Sequence, residues 1–302
     1  MQLTPAQQKQ IAAWLSARTG RSFAARATGA VHGGSINECL RWQCEGGDAF
    51  VKVAGPAALS MYEAEAAGLA ELAQAGAVRV PAVIAAGVVA DHAVLALEWL
   101  DLRAAAEMDA AVQARLGEQL AMQHRVTARR FGWQRDNTIG STPQHNEWHD
   151  DWVGFFRQRR LGLQLDLAAR NGLDGLVVER GLELGEKCGV FFSTYRPVPS
   201  LLHGDLWGGN WAVLDGTRQP VIFDPAVYYG DREADIAMTR LFGGFGPAFY
   251  RAYQAEWPLD QAAGTRRTLY NLYHVLNHYN LFGGGYGRQA GEMIERLLAE
   301  FR

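Results

Sequence analysis

Leu201-Leu202-His203-Gly204-Asp205-Leu206-Trp207-Gly208-Gly209-Asn210 keeps the order His-x-Asp-Leu-x-x-x-Asn. That spacing is the one found in loops that carry out phosphoryl transfer, and the chemistry explains it. A carboxylate must accept or orient the proton of the attacking hydroxyl. An amide oxygen a few residues on can hold Mg²⁺ from the same loop. Asp205 fits the first role and Asn210 the second. Further along comes Val221-Ile222-Phe223-Asp224-Pro225, an apolar strand that delivers one carboxylate at its end, as a second metal ligand requires. Taken singly, Asp205 and Asn210 would read as turn residues and Asp224 as a helix cap. The ordered set, in a loop–strand–turn–strand context, favours chemistry.

Working outward, the next informative residue is a lysine. Of 29 basic side chains, Lys9, Lys52 and Lys187 are the lysines. Lys52 lies in Ala49-Phe50-Val51-Lys52-Val53-Ala54, a strand-like apolar run where a charge is expensive. Alone it would read as an edge-strand lysine with a snorkelling stem. Beside Asp205, Asn210 and Asp224, a strand lysine reaches the α- and β-phosphates of ATP, held by a carboxylate from the neighbouring helix. Helical spacing puts Met61, Glu65, Gly68, Leu69 and Leu72 on one stripe, so Glu65 rather than Glu63 is the expected partner. Gly33-Gly34-Ser35, ahead of the hairpin, suits a phosphate-covering loop. Glu98 and Leu100, in Leu97-Glu98-Trp99-Leu100, sit where backbone groups would meet adenine. The pattern G-x-x-x-x-G-K-[ST] is absent, which excludes a Walker-type cradle.

The chain's organisation agrees. Thr4-Pro5-Ala6-Gln7 starts a helix to about Arg18. Cys39–Cys44 and Ala49–Ala54 form a hairpin, 56–74 is helical, and Val80–Val89 and Ala93–Trp99 are strands. From Ala104 onward the pattern is mainly helical, broken by Leu201–Asp224. The prediction is a bilobal α+β fold, with an antiparallel-sheet ATP-binding lobe over residues 1–100 and a larger catalytic and substrate-binding lobe over 101–302.

Composition excludes other classes. The 302 residues are 48% hydrophobic and 20% charged, with a net charge of −3 and no long basic block, so nucleic acid is a poor partner. Residues 1–9 lack a signal-peptide core, and no apolar run approaches a membrane span, so a cytoplasmic location is expected. Cys39, Cys44 and Cys188 make no disulfide framework. His145 and His149 stand four apart, but Glu147 is misplaced for a zinc protease. The run Gly283-Gly284-Gly285-Tyr286-Gly287 reads as a turn lining the cleft, since no strand–helix pattern follows it.

The sequence resembles the fructosamine (ketosamine) kinase family, within the wider group of aminoglycoside- and choline-kinase-like enzymes. The likeness rests on Gly33-Gly34-Ser35-Ile36-Asn37-Glu38, Phe50-Val51-Lys52-Val53, Asn146-Glu147-Trp148-His149-Asp150-Asp151-Trp152 and the loop His203–Asn210. Phe223-Asp224-Pro225-Ala226, the block Tyr229–Asp235, Leu241-Phe242-Gly243-Gly244-Phe245 and Leu276-Asn277-His278 extend it. It implies a protein-kinase-like fold and ATP- and Mg²⁺-dependent phosphorylation of the sugar of ketosamines, which supports deglycation. Carried onto this chain, Asp205 is the base, Asn210 and Asp224 bind Mg²⁺, and Lys52 with Glu65 positions ATP. Trp207 either stacks on the sugar or is a core aromatic; Asp235 braces the catalytic loop. Two alternatives stay open: another amino-sugar or amino-alcohol substrate, or a nucleotide-binding scaffold without catalysis. The loop Val31-His32-Gly33-Gly34-Ser35 lacks the cysteine that makes some relatives redox-sensitive. Asp224-Pro225-Ala226 replaces Asp-Phe-Gly, so a switch at that phenylalanine is not expected.

Overall fold

The computed structural model describes residues 3–30, 38–104 and 109–301. The chain divides into two units, one of Met1–Arg103 with Ala212–Asp224 and one of Ala104–Trp211 with Pro225–Arg302.

The first unit opens with helix α1 (Pro5–Thr19), whose start the sequence encodes in full. Thr4 accepts from the Gln7 amide at 3.3 Å, the Gln7 side chain accepts from the Thr4 amide at 2.9 Å, and Pro5 takes the first position. Strands β1 (Gly29–Ala30), β2 (Glu38–Trp42), β3 (Ala49–Ala54), β4 (Val83–Val89) and β5 (His92–Glu98) form an antiparallel sheet in the order β1-β2-β3-β5-β4. Helix α2 (Leu59–Ala75) stands between β3 and β4 in the chain. Ile11, Leu15, Trp42, Val51 and Val94 are buried together in the core of α1 and the sheet, and the Trp42 indole donates to the Ala24 carbonyl at 2.8 Å. In register, Lys52 faces Cys39 on one side and Leu95 on the other, so it lies in the middle of the sheet rather than at an edge. Strand β6 (Leu102–Ala104) follows.

The second unit carries α3 (Ala110–His124), the hairpin β7 (Asn137–Ile139) and β8 (Thr142–Gln144), and α4 (Trp152–Phe156). A π-helical turn, Arg157–Gly162, leads into α5 (Leu163–Arg170), then α6 (Gly175–Lys187) and β9 (Ser200–Leu202). The chain then lays β10 (Trp211–Leu214) and β11 (Gln219–Ile222) beside β6. It returns with β12 (Tyr228–Gly230), paired antiparallel to β9, and closes with α7 (Glu233–Leu241), α8 (Pro247–Glu256), α9 (Ala263–Phe282) and α10 (Tyr286–Ala299).

Two features depart from the sequence reading. Residues 212–224 belong with the first unit, although they lie more than a hundred residues beyond the expected boundary. Long-range backbone bonds cause this: the Asp215 amide donates to Asp101 at 2.8 Å and the Ile222 amide to Arg79 at 3.0 Å. The β7–β8 hairpin was not expected either, because three-residue strands carry too little periodicity to register.

Helices α3 and α8 approach closely at Gly117, where an added Cβ would collide with the Phe249 carbonyl. Gly117→Ala is therefore expected to push the two helices apart and cost about 1–3 kcal/mol, measured as a lower denaturant midpoint with an unchanged slope.

Candidate active site

In the first unit, three elements converge on Lys52. Its side chain is nearly buried, and Nζ donates to Glu65 Oε1 at 2.7 Å and to Asp224 Oδ1 at 2.6 Å. Strand β3 supplies the lysine, α2 supplies Glu65, and β11 leads to Asp224. Burial by itself would drive the ammonium to lose its proton; the two carboxylates outweigh it, Glu65 foremost, and hold the Lys52 pKa above its usual range. Burial pushes the Glu65 carboxyl up while the Lys52 ammonium pulls it down. Burial also raises the thiol of Cys39, the cross-strand neighbour, so it stays protonated at neutral pH. Asp224 has φ +54°, a left-handed conformation that non-glycine residues adopt only when their surroundings impose it. Here the imposed geometry points its carboxylate at Lys52.

The segment 97–100 is tied into the sheet at two of its positions. The Glu98 carboxylate pairs with Arg79 and accepts the Ala82 amide at 3.0 Å, and the Glu98 amide donates to the Ala82 carbonyl at 2.8 Å. The Trp99 amide donates to Asp48 at 3.1 Å. The carboxylate and amide of Glu98 are therefore engaged within the first unit. Leu100 has the first amide in the segment that no backbone bond among the described residues uses. Gly33, Gly34 and Ser35 lie outside the described residues.

In the second unit, the loop after β9 turns tightly. The Trp207 amide donates to the Asp205 carbonyl at 3.2 Å and the Asn210 amide to the Trp207 carbonyl at 3.0 Å. The Asn210 side-chain Nδ2 donates to the Asp205 carbonyl at 2.9 Å and to its Oδ2 at 3.3 Å. Asp205 and Asn210 thus form one hydrogen-bonded unit. Asp235, buried on α7, holds the loop from beneath: Oδ2 accepts the His203 amide at 2.7 Å and Oδ1 accepts the Gly204 amide at 2.9 Å. Gly204 has φ +85°, and a Cβ there would strike the Ala226 carbonyl, so only glycine fits where protein kinases carry arginine. Trp207 is 39% exposed and packs edge-on against Phe242, its ring centre 6.3 Å away, so it is a surface aromatic and not a core one.

A participant the sequence reading did not find is His124, fully buried on α3. Its Nε2 lies 3.1 Å from Asp235 Oδ2 and its Nδ1 2.8 Å from the Tyr253 hydroxyl, which also accepts from Arg232 at 3.1 Å. Nothing local marks it, because its partner stands more than a hundred positions away. His145 bonds Asp136 at 2.6 Å. Among the described residues, no three His, Cys, Asp or Glu side chains gather as a metal site. Asp224 in the first unit and Asn210 in the second each carry a hard oxygen donor, the ligand type that Mg²⁺ takes.

Burial pushes the Asp235 carboxyl up, but the hydrogen bond from His124 and the bonds from the loop outweigh it and hold it below the ordinary 3.8. The unfolded chain binds this proton first as pH falls, so Asp235 stabilises the fold above pH 3.8 and that contribution is lost on further acidification through the folded pKa. The difference in unfolding free energy between wild type and Asp235→Asn should accordingly hold steady at neutral pH and shrink as pH drops below 3.8. Denaturant titrations across that range measure it.

This geometry agrees with what the chain is similar to. The model of the fructosamine kinase family matches residues 7–300. A Synechocystis protein named "Probable ketoamine kinase" is 44% identical, with 98% of each chain covered. The chloroplastic protein-ribulosamine 3-kinase of Arabidopsis thaliana is 41% identical over 89% of this chain and 82% of its own. A crystal structure from Haemophilus somnus, provisionally assigned as a fructosamine-3-kinase, superposes with a TM-score of 0.87 at 29% identity, covering 97% of this chain and 98% of that one. An aminoglycoside phosphotransferase shares the fold alone, with a TM-score of 0.63 at 13% identity over 96% of this chain and 98% of that one. With a catalytic loop braced by Asp235 and a strand lysine held by two carboxylates, the chain belongs to the fructosamine kinase family and is a phosphotransferase of the ketosamine kinase type.

Proposed function

We propose that the protein transfers the γ-phosphoryl group of ATP to a sugar hydroxyl of a ketosamine, the adduct of a sugar with an amine, and so supports deglycation. The observation that carries this reading is the paired set: Lys52 fixed by Glu65 and Asp224, and Asp205 joined to Asn210.

Lys52 neutralises the α- and β-phosphates, for which a compact ammonium held at fixed position is better suited than arginine's planar fork. Glu65 keeps that ammonium oriented and charged when the phosphates leave. Asp205 accepts the proton of the attacking hydroxyl, and its side-chain bond from Asn210 holds the carboxylate in place. Asn210 and Asp224 would hold Mg²⁺, which supplies charge neutralisation on the phosphate oxygens. Trp207, exposed beside Asp205 in sequence, offers a flat face to the sugar ring. Asp235 keeps the loop backbone rigid, so the base does not need to reorganise during the transfer.

Turnover of ATP with a panel of fructosyl- and ribulosyl-amines tests the reading; consumption of ATP by none of them, or by aminoglycosides and choline alone, overturns it. Asp205→Ala should lower kcat by about 10²–10⁴ while ATP still binds, read by steady-state kinetics and by calorimetric titration of the nucleotide. Lys52→Arg keeps the charge but changes its shape. It should raise KM for ATP well above tenfold and leave KM for the ketosamine near its original value.

A further inference from the structure

Asp235 fixes the catalytic loop ahead of Asp205, through the amides of His203 and Gly204. The loop residues that follow Asp205 rest on a different support. Between α7 and α8 the chain reads Phe242-Gly243-Gly244-Phe245. Phe242 meets the Trp207 ring edge-on at 6.3 Å, and the Phe245 ring lies 5.5 Å from that of Trp211. Two phenylalanines three apart thus engage two tryptophans four apart, with glycines in the interval on both sides. There the backbones touch. A Cβ added at Gly244 would stand 2.5 Å from the Gly208 Cα, and one at Gly208 would stand 3.0 Å from the Gly244 Cα.

This support is anchored independently of the loop. Phe242 caps the end of α7, and the Phe245 ring packs 4.8 Å from that of Phe249, fully buried on α8. The Gly246 amide donates to the side chain of Gln113 on α3. A short bend tied to three helices sets where Gly208 stands rather than following it. Trp207 depends on that placement. Its six-membered ring lies over Gly209, where a Cβ would strike it, and Phe242 bounds it on another side. The ring is nevertheless 39% exposed. An aromatic ring held in one orientation loses less freedom on meeting a sugar than a mobile one does.

We infer that the segment 242–245 positions Trp207 for the sugar, with Gly244 as the point of contact, and so governs the grip on the ketosamine separately from phosphoryl transfer. The inference rests on the reading of Trp207 as the face that meets the sugar, and deepens it. Gly244 has φ +94°, a backbone conformation that favours glycine. Its neighbour Gly243 has φ +77°, with open space where a Cβ would stand. Alanine at 243 therefore brings backbone strain alone, whereas alanine at 244 brings strain of the same kind and also drives Gly208 away.

Kinetics of this matched pair test the inference. Gly244→Ala should raise KM for the ketosamine about tenfold relative to Gly243→Ala, with kcat changed less than KM and KM for ATP near its wild-type value. Trp207→Ala should also raise KM for the ketosamine. Adding Gly244→Ala to it should raise KM no further, since a residue that acts through Trp207 then has nothing to act on. Circular dichroism checks that each variant folds. If Gly244→Ala does not fold, Phe242→Leu decides: it removes the ring beside Trp207, leaves the glycine contact in place, and should give a rise in KM that is absent in the Trp207→Ala background. No rise in Phe242→Leu, equal KM values for the two alanine variants, a matching rise in KM for ATP, or a full additional effect on top of Trp207→Ala would overturn the inference. A raised KM in Trp207→Ala itself would then leave the reading of Trp207 standing. An unchanged KM in Trp207→Ala removes both, and so does wild type that turns over no ketosamine.

Discussion

A single buried ammonium organises the first unit. Lys52 lies in the centre of the sheet among Val51, Val53 and Leu95, where an unpaired charge would be prohibitively costly. The fold meets that cost by bringing Glu65 from α2 and Asp224 from the end of β11, each within 2.7 Å of Nζ. These two bonds link the sheet to a helix and to a strand from far along the chain. The same two carboxylates keep the ammonium charged and fix its position.

In the second unit the corresponding role falls to Asp235. A buried carboxylate that accepts two consecutive loop amides and lies against His124 fixes the backbone on either side of Gly204. Gly204 has no side chain because the Ala226 carbonyl occupies the space one would fill. Rigidity in the loop places Asp205 and Asn210 as one unit.

Several of these parts could be read from the chain and others could not. The capping box at Thr4 and Gln7 is local in sequence and local in structure, so it was legible. Glu65 was distinguishable from Glu63 because helical periodicity puts it on the stripe with Leu69 and Leu72, both buried. The ion pair of Glu98 left no local signal, since its partner, Arg79, stands nineteen residues earlier. His124 left no trace, since a histidine late in an amphipathic helix looks like any other until Asp235 and Tyr253 are brought beside it.

The sequence by itself pointed to phosphoryl transfer, because that chemistry demands particular side chains in a particular order and Lys52, Glu65, Asp205, Asn210 and Asp224 stand in it. It also determined the local elements, whose signals lie within a few residues of one another. Tertiary structure decided which carboxylates meet Lys52, why Asp224 adopts a left-handed backbone, and how residues 212–224 come to pack with the first hundred. The physical reason is separation: hydrogen bonds and ion pairs act over about 3 Å in space, while their partners here stand tens to hundreds of positions apart in the chain.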